Sequence, residues 1–512
     1  MGLKAKDTAV WLPLALVLAL AGILRFYEIS AFSFSNDELS ALLRLQYDDW
    51  TQLIREGVMP DYHPAGVQVL LWLWVRLGGT AEAWVRLPFI LSGIGAVFMT
   101  YLLGRRWYGH ASGLIAASAL AVLEFPLLYS RLARPYATGM LLVLVLIWLW
   151  DRFLFRSPDK SSTGRLLKGV PLTMAFAACM YDHYFCFLLA AIIGLSGLLK
   201  TTGRLRWAYL ITGLGAMLLF LPHFRISLHH FTDEGLSGWL GPPGLNWPLE
   251  HWVHIFNSSI PLAIAAGGML LYTLWLRVPG STVQPRLLIL WWLLPLIVAW
   301  LYSLFIDPVA QHSILVFGFP LLLIALSAAF YRWKARTAAL FSISILCLGA
   351  WHTVIHNDFY QKPQFTDFRQ AANFIKKHQQ AIDSGQATLM LNVNSPWYVA
   401  FYHPGLKEDI IPMTAVGDWV NLRSLRQWMD TSDVQGIVFV SLKPCPPETW
   451  NLLADHFPCL VEAYHQDGLA WGVHRRKAAE YCPSEEEPDI MQELFLGFEP
   501  TDSVMAGRIA DT

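Results

Sequence analysis

Charge is what this chain most lacks: Asp, Glu, Lys and Arg make up 15% of its 512 residues, against about a quarter in soluble globular chains. Hydrophobic residues fill 55% of it. They come in long runs rather than at the helical or strand period, the mark of helices apolar on every face. A wholly soluble chain is excluded, and a polytopic α-helical membrane protein is expected. The net charge of -1 carries little information, and no nucleic-acid partner is expected. There is no glycine-rich phosphate fingerprint, which removes one route to a nucleotide ligand, and no internal repeat of fixed period. Cysteine is scarce too, with six residues. Cys179, Cys186 and Cys347 fall in apolar runs and read as packing residues. Cys445, Cys459 and Cys482 lie in a polar C-terminal part, where one bridge is expected, Cys445 with Cys459.

The apolar runs set the topology. The first follows Lys4 and Lys6 and contains Ala19-Leu20-Ala21, which looks like a signal-peptidase site, but it continues into Phe26-Tyr27 and is read as a retained first span. No separate targeting signal is then needed. About eleven spans of ~20 residues are expected, near 9–27, 84–104, 111–129, 135–151, 168–182, 184–199, 207–223, 253–276, 287–305, 313–331 and 337–355. With the amino terminus cytoplasmic, the inner connections collect Arg105-Arg106, Arg152 to Lys168, Lys200 to Arg206, Arg277 with Arg286, and Arg332 to Arg336, as the positive-inside rule asks. The chain is thus expected to be a multi-pass protein of the cytoplasmic (inner) membrane, in contact with its lipids.

Three regions follow: residues 1–356 as the membrane domain with a long first outer loop at 28–83, residues 357–480 as an exported soluble α/β domain, and an acidic tail at 481–512 that reads as disordered. In the exported domain Thr388 to Val393, Gly436 to Ser441 and Leu469 to Val473 read as strands. Phe368 to Lys377, Leu422 to Met429 and Glu448 to Phe457 read as helices, and the alternation predicts a small α/β fold.

Candidate chemistry crowds the outer ends of the spans. The first outer loop carries Asp37-Glu38 and later Asp61-Tyr62-His63-Pro64, and loops this long are usually functional. Ser35-Asn36-Asp37-Glu38 also fits a capping box, in which Glu38 returns to the Ser35 amide. The basic residues left outside are all Arg, among them Arg86, Arg131 and Arg134. A guanidinium fork suits phosphate oxygens, with snorkelling to headgroups as the alternative. Asp37, Glu38, His63, Asp182 and His183 are candidates to converge on a divalent cation (Mg, Mn or Zn), solvated loop residues being the alternative. Glu124 lies inside the third span, where an ionisable residue is a functional candidate, with structural pairing to Arg131 as the other reading.

Four motifs carry a resemblance: Asp37-Glu38 after the first span, Tyr62-His63-Pro64, Arg86-Leu87-Pro88 opening the second span, and Tyr129-Ser130-Arg131-Leu132-Ala133-Arg134-Pro135-Tyr136. Together they resemble the GT-C integral-membrane glycosyltransferases related to protein O-mannosyltransferases and lipid A aminoarabinose transferases. Tyr181-Asp182-His183-Tyr184 and Asp367-Phe368-Arg369-Gln370-Ala371-Ala372 are similar to later parts of the same family. The resemblance implies a sugar donor on polyprenyl phosphate, a hydroxyl acceptor on protein, lipid or envelope glycan, and an inverting displacement. It also implies Asp37 as base and Arg86 as an active-site cation. Two positions depart from it: Ala65 after His63-Pro64, and Gln311-His312-Ser313 where relatives carry an Arg-Tyr pair. A transporter or flippase, or a non-catalytic envelope assembly protein, is the alternative class.

Overall fold

The protein is described from a computed structural model over residues 5–156, 162–232, 240–362, 364–406, 411–412, 422–443, 447–466 and 469–475. The acidic tail and Cys445 lie outside these residues. The chain divides into two compact units, one formed by residues 1–30 with 44–362 and the other by residues 31–43 with the part from 363 onward. The first stretch of the loop after the first helix therefore belongs with the C-terminal unit.

In the larger unit, helix occupies each range expected to span. Among the described residues six helices are long and apolar enough to cross a membrane, and a bent pair, His110–Val122 with Glu124–Ser130, makes a seventh. This is a multi-pass membrane protein. The bend of 64° in that pair has a local cause. Leu123 is extended (φ -68°, ψ 137°), which puts Pro126 in the first turn of the second piece, where a missing N–H leaves no helical bond unmade. The Glu124 N–H, freed by the break, donates to the Asn257 side chain at 2.9 Å. Apolar side chains fill the spaces between helices, with Trp150 and Trp291 fully buried. Small residues set a close crossing: a Cβ on Gly104 would lie 2.7 Å from the Gly113 Cα, so helices Glu82–Tyr108 and His110–Val122 touch backbone to backbone.

The smaller unit is α/β. Its strands are β1 (Thr388–Asn392), β2 (Ile411–Pro412), β3 (Gly436–Ser441), β4 (Cys459–Gln466) and β5 (Leu469–Arg475), in the order β2-β1-β3-β5-β4. β1 pairs parallel with β2 and β3, while β5 runs antiparallel to β3 and β4. The three strands read from apolar runs are the inner ones. Edge strands β2 and β4 were not expected, since β2 is two residues long and β4 mixes Glu462, His465 and Gln466 into its length, as edges do. Helix Phe368–Lys377 is capped by Asp367, whose carboxylate accepts the Gln370 N–H at 3.1 Å. Residues 31–43 are stitched into this unit: Ser33 Oγ accepts the Phe368 N–H at 3.0 Å, and the Phe34 N–H donates to the Tyr402 hydroxyl at 2.8 Å. Cys459 is disulfide-bonded, whereas Cys179, Cys186 and Cys347 are free thiols.

Candidate active site

Within the membrane unit the site is built around the short segment from Met59 to Ala65. Its shape is unusual, because Tyr62 is held at φ 54°, a left-handed conformation that costs a residue other than glycine roughly 1 kcal/mol. The Asp61 carboxylate is buried and takes the Arg44 guanidinium at 2.6 Å, with Arg134 at 3.9 Å. The His63 Nδ1–H donates to the Asp61 carbonyl at 2.8 Å. That leaves Nε2 as the acceptor, and Arg134 Nη2 lies 3.3 Å from it and 3.1 Å from Nδ1.

His183 completes the group, its ring centroid 5.3 Å from that of His63. It caps helix Tyr184–Lys200 by accepting the Phe185 N–H on Nδ1 at 3.0 Å, so its proton sits on Nε2. Burial first, then the neighbouring His63 and Arg134, hold its pKa well below the ordinary imidazole range. The neighbouring Asp182 is 4% exposed, and its Oδ2 makes no hydrogen bond among the described residues. Buried Arg134 and His183 and the partly exposed His63 are thus one group of ionisable side chains.

Arg131 and Arg86 are placed elsewhere. The Arg131 guanidinium donates to the carbonyls of Leu24, Arg25 and Tyr27 at 3.1, 3.1 and 2.6 Å and to that of Glu28 at 3.1 Å. It caps the end of helix Ala5–Phe26, whose last carbonyls have no partner inside the helix. Arg25 is fully buried and donates to the Leu120 and Ala121 carbonyls at 3.3 and 3.2 Å. Arg86, 5% exposed, donates to the Ile29 carbonyl at 2.8 Å. These three arginines form a collar around the C-terminal end of the first helix.

In the smaller unit Asp37 and Glu38 separate sharply. Glu38 is 1% exposed, its carboxylate accepts the Ser35 N–H at 2.9 Å, and its own N–H donates to Ser35 Oγ at 3.3 Å. This is the expected capping box, complete in both directions. Asp37, on the next face of helix Asn36–Leu43, is half-buried, and its carboxylate makes no hydrogen bond or ion pair among the described residues.

Glu124 does not pair with Arg131, whose fork is occupied as above. At the break in its span, Glu124 accepts from the Asn357 side chain at 2.6 Å and lies 3.7 Å from His352. His312, at the departure from the family pattern, stacks on His254 with centroids 4.2 Å apart and on Trp247 at 5.4 Å. Burial, then His254, holds its pKa down to about 3. No three His, Cys, Asp or Glu side chains among the described residues are disposed to hold a metal ion. The Glu38 carboxylate is engaged in the cap.

Sequence reasoning did not single out His223 and His230, although they are spaced two helical turns apart and so share a face.

Residues 62–225 match the family model described as dolichyl-phosphate-mannose-protein mannosyltransferase, a range that takes in His63, Arg86, Glu124, Arg131, Arg134, Asp182 and His183. No protein of curated function matches the sequence. Among solved structures, ArnT from Cupriavidus metallidurans in the apo state is similar with a TM-score of 0.55 at 14% identity, over 93% of this chain and 99% of that one. The same protein bound to undecaprenyl phosphate gives a TM-score of 0.50 at 13% identity, over 91% and 98%. The resemblance read from the motifs is borne out, and the chain has the fold of the GT-C integral-membrane glycosyltransferases.

Proposed function

We propose that the protein is a glycosyltransferase that moves a sugar from a polyprenyl-phosphate carrier to a hydroxyl acceptor at the outer face of the cytoplasmic membrane. The observation that carries this is the cluster in which buried Arg134 lies beside two imidazoles, His63 and His183, the second of them neutral with its proton on Nε2. A guanidinium and a fixed N–H donor are suited to a phosphate whose charge grows as its bond to the sugar breaks. That a protein of the same fold binds undecaprenyl phosphate supports a lipid-linked donor.

In the proposed reaction the acceptor oxygen attacks the sugar carbon bonded to phosphate, on the face opposite the leaving group. The acceptor proton passes to the Asp37 carboxylate, the carbon–oxygen bond to phosphate breaks, and polyprenyl phosphate leaves with its electron pair, giving inversion. Asp37 suits the base because its oxygens are not engaged by any described residue, whereas Glu38 is held in the cap. Arg134 is the phosphate cation; Arg86, like Arg131, is engaged with backbone carbonyls. With Lys6 inside and about eleven spans, the domain at 357–480 lies outside, and the disulfide at Cys459 suits an oxidising compartment.

The test compares envelope glycans and glycoproteins from cells making the wild-type protein or Asp37→Asn, together with undecaprenyl phosphate binding by both purified proteins. Asp37→Asn is expected to lower transfer by at least about a hundredfold with binding retained. Transfer at the wild-type rate would eliminate the base assignment. Carrier binding or movement with no glycan dependent on the protein would point to a flippase instead.

A further inference from the structure

The Met59 to Ala65 segment is bracketed by two histidines of one helical stretch, Leu221–His223 continuing into Phe224–Thr232. The Ala65 N–H donates to His223 Nε2 at 3.0 Å, and the Met59 carbonyl lies 2.9 Å from His230 Nε2. These two backbone groups fix every proton between them. Because His223 Nε2 accepts, its proton is on Nδ1, which lies 2.9 Å from Ser227 Oγ. Because a carbonyl can only accept, His230 Nε2 carries the other proton, and its Nδ1 accepts from the Tyr184 hydroxyl at 2.7 Å. Ser227 Oγ and the Tyr184 hydroxyl oxygen are 3.2 Å apart, so the serine proton closes the chain. One direction satisfies every donor: His223 to Ser227, Ser227 to Tyr184, Tyr184 to His230, and His230 to Met59.

We propose that His223 and His230 are positioning residues, a two-histidine clamp that holds the Met59–Ala65 segment in the shape that delivers Asp61 and His63 to Arg134. The strained middle of the segment supports this. Tyr62 sits at φ 54°, a conformation that persists only where the surroundings over-determine it, and its ring lies against His230 with centroids 5.7 Å apart. The segment is pinned at both ends and at its apex by one helix face. Ser227 and Tyr184 keep both imidazoles neutral and in the required tautomers, and a second proton on His223 would remove the acceptor that Ala65 needs. The clamp touches neither Arg134 nor His183 in any described contact and acts through the segment it holds.

The functional part of this inference rests on the reading of Arg134 as the donor-phosphate cation, so the experiment carries a control for that reading. Full-length protein in detergent is compared as wild type, His223→Phe, His223→Gln, His230→Phe, His230→Gln and Arg134→Ala. Amide hydrogen exchange across residues 59–65 and affinity for undecaprenyl phosphate are measured for each. Glutamine places an amide group where Nε2 stood, an acceptor for Ala65 or a donor for Met59, while phenylalanine keeps a ring and loses both nitrogens. The Phe variants are expected to exchange faster at 59–65 and to bind about tenfold more weakly, one hydrogen-bond anchor being lost, with the Gln variants near wild type. Arg134→Ala should lose affinity with exchange at 59–65 near wild type. Unchanged exchange in both Phe variants would overturn the clamp. Faster exchange with unchanged affinity, while Arg134→Ala binds poorly, would overturn its positioning role. If Arg134→Ala also keeps full affinity, the donor-phosphate reading fails, and faster exchange in the Phe variants still supports the clamp. Should a Phe variant not fold, Ser227→Ala, which breaks the chain in its middle, must raise exchange at 59–65 or the proposal falls.

Discussion

Two groups of arginines sit in the membrane unit, and their difference lies in their partners. The collar of Arg25, Arg86 and Arg131 turns its N–H groups toward backbone carbonyls around the end of the first helix. Arg134 faces ionisable side chains, Asp61 and His63, with His183 beside them. Residue type and expected side of the membrane are the same in both groups. Carbonyls of the fold are permanent partners, and a guanidinium that satisfies them completes a helix end. Imidazoles and a shared carboxylate are weaker claims on a guanidinium, which a phosphate dianion can displace or join. The carboxylates Asp37 and Glu38 repeat the division, one without a described partner and the other closed into a cap.

Truncating Arg134 should produce the largest effect. Losing a charge-assisted contact to phosphate costs about 2–3 kcal/mol, so Arg134→Ala should weaken undecaprenyl phosphate binding by roughly a hundredfold while its melting temperature stays close to wild type. Arg134→Lys should recover only part of the loss, because an ammonium cannot present the planar fork. Wild-type affinity in Arg134→Ala would erase the distinction between the groups.

The collar predicts the converse. Arg131→Ala leaves the last carbonyls of helix Ala5–Phe26 without the donor they have now, a loss of roughly 2 kcal/mol that should show as a lower melting temperature in detergent. Affinity per folded molecule should remain. A fall in affinity equal to that of Arg134→Ala would move Arg131 into the phosphate site.

Much of this fold was legible in the sequence. Long apolar runs have one solution in lipid, since backbone groups must be satisfied inside each segment, and every expected range holds a helix. The inner strands β1 and β3, buried on both faces, announced themselves as continuous apolar runs, while β4 at the sheet edge did not. The capping box could be read from Ser35 and Glu38 because its geometry is local. The fates of the arginines could not, because each is decided by a carbonyl or carboxylate distant in the chain: Leu24 for Arg131, Ile29 for Arg86, Asp61 for Arg134. The same holds for Glu124, whose partner Asn357 lies beyond the last helix of the unit. The placement of residues 31–43 in the α/β unit also rests on distant pairs, Ser33 with Phe368 and Phe34 with Tyr402.

Acidity sharpens the comparison further, since arginines do not titrate in the working range and imidazoles do. His183 is neutral in the folded protein, its pKa pushed well down by burial, His63 and Arg134. In the unfolded chain it protonates near the ordinary imidazole value of about 6.5. As pH falls below that value the unfolded state binds the proton first, so the stability His183 contributes is full above about 6.5 and drains away toward its lowered folded pKa. The slope is at most ~1.4 kcal/mol per pH unit. His183→Asn keeps an acceptor for the Phe185 N–H and should flatten melting temperature against pH between about 5 and 6.5. An unchanged profile would show that His183 is not held neutral.

The smallest effect tests the carboxylate pair. Ser35→Ala removes the hydroxyl that accepts the Glu38 N–H and leaves the return bond from the Ser35 N–H to the Glu38 carboxylate in place. Half a capping box is then lost, worth about 1 kcal/mol, and helix Asn36–Leu43 should fray at its start. Hydrogen exchange at residues 36–39 should rise by roughly fivefold, and glycan transfer should fall by less than the loss in Asp37→Asn. The ranking is the point of the experiment. If Glu38 serves only the cap, Ser35→Ala and Glu38→Gln should resemble each other in both exchange and transfer. If Glu38→Gln lowers transfer as far as Asp37→Asn while its exchange matches that of Ser35→Ala, then Glu38 also takes part in the chemistry, and the division between a partnered and an unpartnered carboxylate does not hold.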